Sequence, residues 1–151
     1  MKIYLDTSAL NRIFDDQSQA RIYLESVAME VIFLLIENKN IEIVSSDALV
    51  FETNNNPYSD RRAFIEKVLE KATSFQSLNE KILTRAEEME TTMKIKGVDS
   101  LHLACAEALK VDDFITCDDK IIKRYRGVLA VKNPTEFANN AMIEQKEEEN
   151  G

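Results

Sequence analysis

The stretch KIYLDTS, residues 2–8, decides the fold class of this chain. Lys2 to Leu5 form a short apolar run, and the polar residues Asp6, Thr7 and Ser8 follow it directly. A run of this length that ends in polar residues is typical of a strand that is buried inside a sheet and followed by a polar loop. We therefore predict that a buried strand opens the chain and that Asp6 lies just beyond its carboxyl end.

Helical and strand patterns alternate along the rest of the sequence. Apolar residues recur at three- and four-residue intervals from Ser18 to Asn38, which predicts an amphipathic helix. Its predicted apolar stripe is Tyr23, Leu24, Val27, Val31, Leu34 and Leu35. Further helices are predicted over 45–52, 59–72, 79–94 and 120–125, and strands over 41–44, 73–78, 114–116 and 128–131. The segment 98–109 is predicted to be helical from Asp99 or Ser100, and Asn79 is predicted to cap the helix over 79–94. This alternation predicts an α/β fold with a parallel sheet covered on both faces.

Length and composition favour one domain followed by a short tail. The chain has 151 residues, of which 44% are apolar, which is enough to bury a continuous core. We predict a domain over residues 1–137. Residues 138–151 form an acidic C-terminal tail that we expect to be solvated or frayed, because four glutamates crowd it.

The cysteines and the apolar segments bear on the cellular compartment. Cys105 and Cys117 lie outside any CxxC spacing, so we expect two buried thiols and no zinc site or disulfide. The longest apolar run, Val31 to Ile36, is far shorter than the roughly 18 residues of a membrane span. We expect a soluble, cytoplasmic protein without a membrane partner.

Four acidic residues are candidates for a shared site. Asp6 and Asp118 follow predicted strands, and the functional crevice of an open parallel sheet lies beyond the carboxyl ends of its strands. Asp99 falls in the first turn of a predicted helix, and Glu52 lies in a largely apolar helical segment. Each could instead be a helix cap, a turn residue or a solvated side chain.

The residue inventory limits the chemistry of such a site. Carboxylates without nearby histidine or thiol ligands match Mg²⁺ or Mn²⁺ better than Zn²⁺, and such sites serve phosphate chemistry. A ribonuclease with a histidine acid and a histidine base is excluded within one chain, because His102 is the only histidine. His102 lies three residues after Asp99 and could border the crevice, although we expect a packed or partly exposed helix residue. The sequence contains no GxSxG, GxxxxGK[ST] or GxGxxG motif.

A phosphatase of the haloacid-dehalogenase type is also excluded, because it needs a second aspartate where Ser8 stands. A phosphoacceptor receiver domain needs paired acids near the first strand, whereas Asp6 stands alone after its strand. Both alternatives therefore rank below a carboxylate site that binds a metal ion.

Four ordered segments resemble the PIN-domain family, whose bacterial members include the toxins of VapBC-type toxin–antitoxin pairs. The segments are IYLDTSAL at 3–10, SSDALVFE at 45–52, VDSLHLACAEAL at 98–109 and FITCDDKII at 114–122. The resemblance implies a three-layer α/β/α sandwich with a central parallel sheet. It also implies a metal-dependent endoribonuclease that cleaves RNA with Mg²⁺ or Mn²⁺, an antitoxin protein as partner, and a homodimer.

Carried over residue by residue, the resemblance makes Asp6, Glu52, Asp99 and Asp118 the four catalytic acids. Asp6, Asp99 and Asp118 are the expected metal ligands, and Glu52 would help either to bind a second ion or to position the attacking water. The family's hydroxyl positions fall on Thr7 or Ser8 and on Thr116. Asp119 leaves the register of the last acid open, although Asp118 is favoured because it follows the strand more closely.

The net charge of −8 opposes general binding of RNA, which depends on Lys and Arg neutralising phosphates. An alternative of a different class is therefore a non-catalytic PIN-like module whose acidic crevice receives a basic segment of a partner protein. A titration with divalent ions distinguishes the two, because a metal site gains stability from the ion.

Overall fold

Five parallel strands form the centre of the molecule, which a computed structural model describes over residues 1–150. They are β1 Lys2–Leu5, β2 Glu42–Ser46, β3 Ser74–Gln76, β4 Asp113–Ile115 and β5 Ala130–Lys132. Their order across the sheet is β3-β2-β1-β4-β5, and every neighbouring pair is parallel. The predicted parallel sheet is confirmed.

Eight α-helices connect and follow these strands within residues 1–150. They are α1 Thr7–Asn11, α2 Ala20–Glu37, α3 Asp47–Asn54, α4 Ser59–Leu69, α5 Glu80–Met93, α6 Val98–Leu109, α7 Asp119–Arg124 and α8 Pro134–Asn150. Helix α2 packs against α8, and α6 packs against both α5 and α3. The helices cover the sheet on both faces, and the result is the predicted three-layer α/β/α sandwich.

The opening strand is the central one. Ile3, Tyr4 and Leu5 are fully buried, as the apolar run predicts, because β1 has a neighbour on each side and helices above and below. From β1 the chain moves to β2 and β3 on one side and later returns to β4 and β5 on the other. The carboxyl ends of β1 and β4 therefore form the topological switch point, where ligands bind in open α/β sheets.

Two features differ from the predictions. The polar residues after β1 form a helix instead of a loop: α1 begins at Thr7, and a single 3-10 turn over Arg12–Phe14 follows it. The predicted stripe of α2 is also wrong, because Leu24 and Leu34 are more than half exposed while Met29 and Ile32 are fully buried. This helix is apolar on several sides, so periodicity alone did not identify the face that meets the sheet.

Other predictions concern the cysteines, the membrane and the tail. Cys105 and Cys117 are both buried and free, as expected. No helix in residues 1–150 is long and apolar enough to cross a bilayer. Helix α8 continues through the acidic tail as far as Asn150, and its side chains from Met142 onward are exposed. The boundary between domain and tail near residue 137 stays a prediction.

Candidate active site

The switch point is closed by hydrogen bonds between the segments that follow β1 and β4. The Asp6 amide donates to the carbonyl of Ile115 at 3.1 Å, which extends the pairing of the two strands. The Ser8 hydroxyl donates to Asp6 Oδ1 at 2.6 Å and accepts from the Cys117 amide at 3.0 Å. Its oxygen also lies 3.3 Å from Thr116 Oγ1. Ser8 and Thr116, both predicted site residues, therefore border the first acid.

Asp6 is both the N-cap of α1 and a buried carboxylate. Its Oδ1 accepts from the Ala9 amide at 3.0 Å, and the side chain is almost inaccessible to solvent. Burial raises the pKa of Asp6 above its ordinary value, although hydrogen bonds from Ser8 and Thr116 partly oppose the shift. The capping role that the sequence allowed is thus real, and it engages Oδ1.

Asp99 lies in the first turn of α6, as predicted, and faces the other acids. Its pKa is raised to about 6, first by burial and next by the negative charge of Asp6. The charges of Asp118 and Glu52 contribute in the same direction. All three of the other predicted acids therefore influence the pKa of Asp99.

Glu52 is held through one of its two oxygens. Its Oε1 accepts a hydrogen bond from the Thr7 hydroxyl at 2.6 Å and lies 2.5 Å from His102 Nε2. Burial raises the pKa of Glu52, but the hydrogen bonds from His102 and Thr7 outweigh it and leave the pKa below its ordinary value. The pKa of Glu52 is therefore shifted in the opposite direction to that of Asp99.

His102 contacts the acids, although the sequence analysis assigned it no site role. We expected a packed or partly exposed helix residue, and the ring is indeed buried, but Nε2 contacts Glu52 while Nδ1 lies 2.6 Å from the Tyr4 hydroxyl. That hydroxyl is in turn 2.6 Å from Ser46 Oγ. The signal in the sequence was the spacing of three residues from Asp99, which places both residues on one face of α6.

The two adjacent aspartates after β4 have different surroundings. Asp118 is the N-cap of α7 and accepts from the Lys120 amide at 2.8 Å, and its charge contributes to the raised pKa of Asp99. Asp119 is exposed and forms a bidentate ion pair with Arg21, with both N to O distances at 2.7 Å. Asp118 therefore belongs to the acidic site and Asp119 to the surface.

No lysine or arginine within residues 1–150 forms an ion pair with Asp6, Glu52, Asp99 or Asp118. The described residues also contain no preformed group of three His, Cys, Asp or Glu side chains that could hold a metal ion. The donors nevertheless fit a hard divalent cation in type and charge, because they are carboxylate oxygens flanked by hydroxyl groups. The negative charges of the other three acids, which no Lys or Arg neutralises, also raise the pKa of Asp99.

Solved structures share this fold at low sequence identity. A chain of VapBC2 from Rickettsia felis, bound to a DNA fragment from their promoter, aligns with a TM-score of 0.58 and 18% identity over 88% of this chain and 98% of that one. For VapBC-1 from nontypeable Haemophilus influenzae the TM-score is 0.56 and the identity 20%, over 89% and 99%. For FitAcB from Neisseria gonorrhoeae they are 0.54 and 17%, over 87% and 97%.

No curated protein matches the sequence at a significant level. A family model does: the one described as the PIN domain matches residues 3–128, which span every strand from β1 to β4 and all four predicted acids. Together with the shared fold, that match establishes that this chain belongs to the PIN-domain family.

Proposed function

We propose that this chain is an endoribonuclease that hydrolyses RNA phosphodiester bonds with Mg²⁺ or Mn²⁺. One observation carries the proposal: Asp6 and Asp118 follow the two strands of the switch point, Glu52 is bonded to Thr7 beside Asp6, and the charges of these three acids raise the pKa of Asp99. None of the four forms an ion pair with a Lys or Arg of residues 1–150. Asp6 is buried and the other three are partly buried, and carboxylates removed from water without a cation are costly, so the site is suited to a bound divalent ion.

The division of roles follows from the surroundings of each acid. Asp6, Asp99 and Asp118 would hold the ion, which would lower the pKa of a water molecule and neutralise charge on the phosphate. Glu52 has Oε1 fixed by two donors and Oε2 free of hydrogen bonds from residues 1–150, so Oε2 can orient the attacking water. The expected products carry a 5′-phosphate and a 3′-hydroxyl.

An antitoxin protein is the proposed partner. The support is the family resemblance and the two-component VapBC names of the similar structures. Exposed apolar side chains on α2, among them Tyr23, Leu24 and Val27, offer a surface for a protein partner, including a second copy of this chain in a homodimer. Light scattering with and without a co-expressed partner would measure the assembly.

Replacing Asp6 with Asn tests the proposed reaction. We expect Mn²⁺-dependent cleavage of single-stranded RNA to fall by at least about 100-fold, as for other lost electrostatic groups in active sites. Asp16→Asn is the matched control, because Asp16 is an exposed aspartate outside the site and its loss should leave cleavage intact. Undiminished cleavage by the Asp6 variant in a nuclease-free preparation would overturn the assignment.

The unpaired acids also favour the second candidate, a binding module whose crevice receives a basic segment from a partner protein. Thermal unfolding with added Mn²⁺ separates the two functions. A metal site gains about 2.7 kcal/mol at an ion concentration 100 times Kd, whereas a purely peptide-binding crevice gains nothing. Asp6→Asn should abolish the gain if the ion binds where we propose.

A further inference from the structure

We propose that Ser46, Tyr4 and His102 form a directed chain of hydrogen bonds that orients the carboxylate of Glu52, so that the three act as positioning residues for the reaction. The catalytic part of this inference rests on the proposed function, whereas the direction in which the hydrogen bonds are donated does not. The inference assigns a role to three buried polar side chains that the four acids leave unexplained.

The direction of the chain begins at a backbone amide. Ser46 is the N-cap of α3, and its Oγ accepts from the Leu49 amide at 3.1 Å. Its own hydroxyl proton is then free to point at Tyr4 Oη, 2.6 Å away. Tyr4 has a single hydroxyl proton, and having accepted from Ser46 it donates that proton to His102 Nδ1 at 2.6 Å.

The end of the chain fixes the histidine tautomer. With Nδ1 accepting from Tyr4, the ring proton of a neutral His102 must lie on Nε2, which donates to Glu52 Oε1 at 2.5 Å. The reverse direction would need a charged imidazolium in a position that is only 1% exposed. It would also turn the Ser46 hydroxyl towards the Cys105 thiol, which is a weak acceptor.

Burial keeps water from competing for the hydrogen bonds between Ser46, Tyr4 and His102. Ser46 and Tyr4 are both fully buried, and the Tyr4 ring stacks on Phe114 with centroids 5.2 Å apart. The tyrosine lies on the central strand β1 and His102 on α6, so the chain joins the sheet to the helix that carries Asp99. The hydroxyl cannot rotate away without leaving a buried donor unsatisfied.

The consequence for Glu52 is a carboxylate with one oxygen fixed and one presented. Oε1 receives two donors, His102 Nε2 from one side and Thr7 Oγ1 from the start of α1. Oε2 receives none from the described residues and remains for substrate or water. A hydrogen bond that fixes both the tautomer and the rotamer of a residue beside the reacting groups is worth about 10- to 100-fold in activity.

The tautomer can be read directly by nuclear magnetic resonance, because His102 is the only histidine in the chain. In a ¹⁵N–¹H correlation spectrum of the side chain at pH 7.5, we expect Nε2 to carry the proton and Nδ1 to show the shift of an unprotonated nitrogen. A proton on Nδ1 alone, or on both nitrogens, would overturn the proposed direction. This measurement needs no RNA and no catalytic activity.

Tyr4→Phe removes the donor to Nδ1 and retains the ring that packs on Phe114. We expect the Nδ1 resonance to move, because the tautomer loses its lock. Tyr125→Phe is the matched control, since it removes a phenol hydroxyl that bonds to Glu107, away from the acidic site. Equal histidine spectra in the wild type and the Tyr4 variant would contradict the proposal.

Kinetics test the positioning role. We expect His102→Leu to lower kcat for RNA cleavage about 10- to 100-fold with little change in KM. His102→Gln keeps an N–H donor that can reach Glu52, so it should recover much of that loss. Equal losses in the Gln and Leu variants, or losses confined to KM, would show that the ring only fills space.

Failure of the proposed function can be distinguished from failure of the hydrogen-bond chain. If the wild type does not cleave RNA while the Nε2 tautomer is present, the ribonuclease assignment fails and the hydrogen-bond chain stands. If the wild type cleaves RNA while the proton of His102 lies on Nδ1, the proposed hydrogen-bond chain is overturned and the ribonuclease assignment is retained. Should His102→Leu not fold, Tyr4→Phe provides the kinetic test, with an expected smaller fall in kcat at unchanged KM.

Discussion

Asp118 and Asp119 are adjacent in sequence, yet they serve different parts of the molecule. Asp118 caps α7 and contributes its charge to the acidic site, while Asp119 forms a bidentate pair with Arg21 on α2. The sequence left the register between them open, because both residues follow the same strand. The ion pair with Arg21 engages both carboxylate oxygens of Asp119, which favours Asp118 as the fourth acid.

Asparagine substitutions test the different roles of Asp118 and Asp119. Asp118→Asn should lower kcat for RNA cleavage at least about 100-fold, because it removes a proposed ion-holding group. Asp119→Asn should change kcat by no more than about two- to threefold, as expected for an exposed substitution. Both are measured at saturating Mn²⁺ with the same RNA. The reverse order of effects would move the fourth acid to Asp119.

Asp99 carries a second prediction, which concerns stability. Its pKa is raised to about 6 in the folded protein, mainly by burial and next by the charge of Asp6, so the folded state holds this proton more tightly than the unfolded chain. Stability without metal should therefore fall as pH rises from about 4 to 6 and stay reduced above that range. Asp99→Asn removes this loss.

The expected gain for Asp99→Asn at pH 8 in EDTA is about 1 to 2 kcal/mol after allowance for solvent screening. Urea unfolding measures it, and the gain should vanish at pH 4, where the wild-type acid is neutral. Asp60→Asn, which changes an exposed acid in the first turn of α4, should not stabilise. A destabilised Asp99 variant at pH 8 would mean that the carboxylate makes a favourable contact instead.

The ends of α6 depend on two residues with positive φ. Gly97 precedes the helix at φ 62° and ψ −138°, a conformation that side chains strongly disfavour, and Lys110 ends it at φ 55° and ψ 44°. The Gly97 amide donates to Glu90 at 2.9 Å, and its carbonyl accepts from the Ser100 hydroxyl at 2.6 Å. This junction sets where Asp99 enters the site.

Substitutions at the two ends should have opposite effects on the free energy of unfolding. Gly97→Ala should destabilise by about 1 to 3 kcal/mol through backbone strain alone, because the added Cβ meets no atom within 4 Å. Lys110→Gly should stabilise by about 0.5 to 1 kcal/mol, since it relieves a left-handed residue. Chemical denaturation measures both, and a neutral Gly97→Ala would show that the junction can relax.

Secondary structure was predictable where the pattern was local. Helix α6 begins at Val98, within two residues of the predicted start, and Asn79 caps α5 as expected, because each depends on a few neighbouring residues. The face of α2 was not predictable, because Leu24 and Met29 are equally apolar and only the packing against the sheet and α8 distinguishes them. Helix α1 was missed because a five-residue helix has too few residues for a periodic pattern.

The same distinction applies to the site. The four acids could be predicted because strand-end positions and family motifs are both visible in the sequence. The chain from Ser46 through Tyr4 to His102 could not be predicted, because its members are 42 and 98 residues apart and meet only when β2 and α6 pack around β1. A buried tyrosine on a central strand gave no sign of its hydroxyl's partner.

At the scale of the whole molecule, the negative net charge opposes the binding of RNA, the proposed substrate. The chain carries −8, and residues 144–150 at the end of α8 contribute four glutamates and one lysine. These side chains are exposed, and the match to the family ends at residue 128, well before them. Residues 144–150 therefore add repulsion towards RNA without contributing to the core.

Truncation after Ile143 tests this reading, because it brings the net charge from −8 to −5. Stability should change by less than about 0.5 kcal/mol, as for other exposed positions. At low salt the truncated protein should have a lower KM for RNA, since repulsion between like charges is weaker. The difference should shrink near 0.15 M salt, where charges are screened beyond about 8 Å.

A full-length variant with the four glutamates changed to glutamine should behave like the truncation, and a lower KM for the truncated chain alone would point to removal of a steric block. A large loss of stability on truncation would instead place the end of α8 within the folded domain.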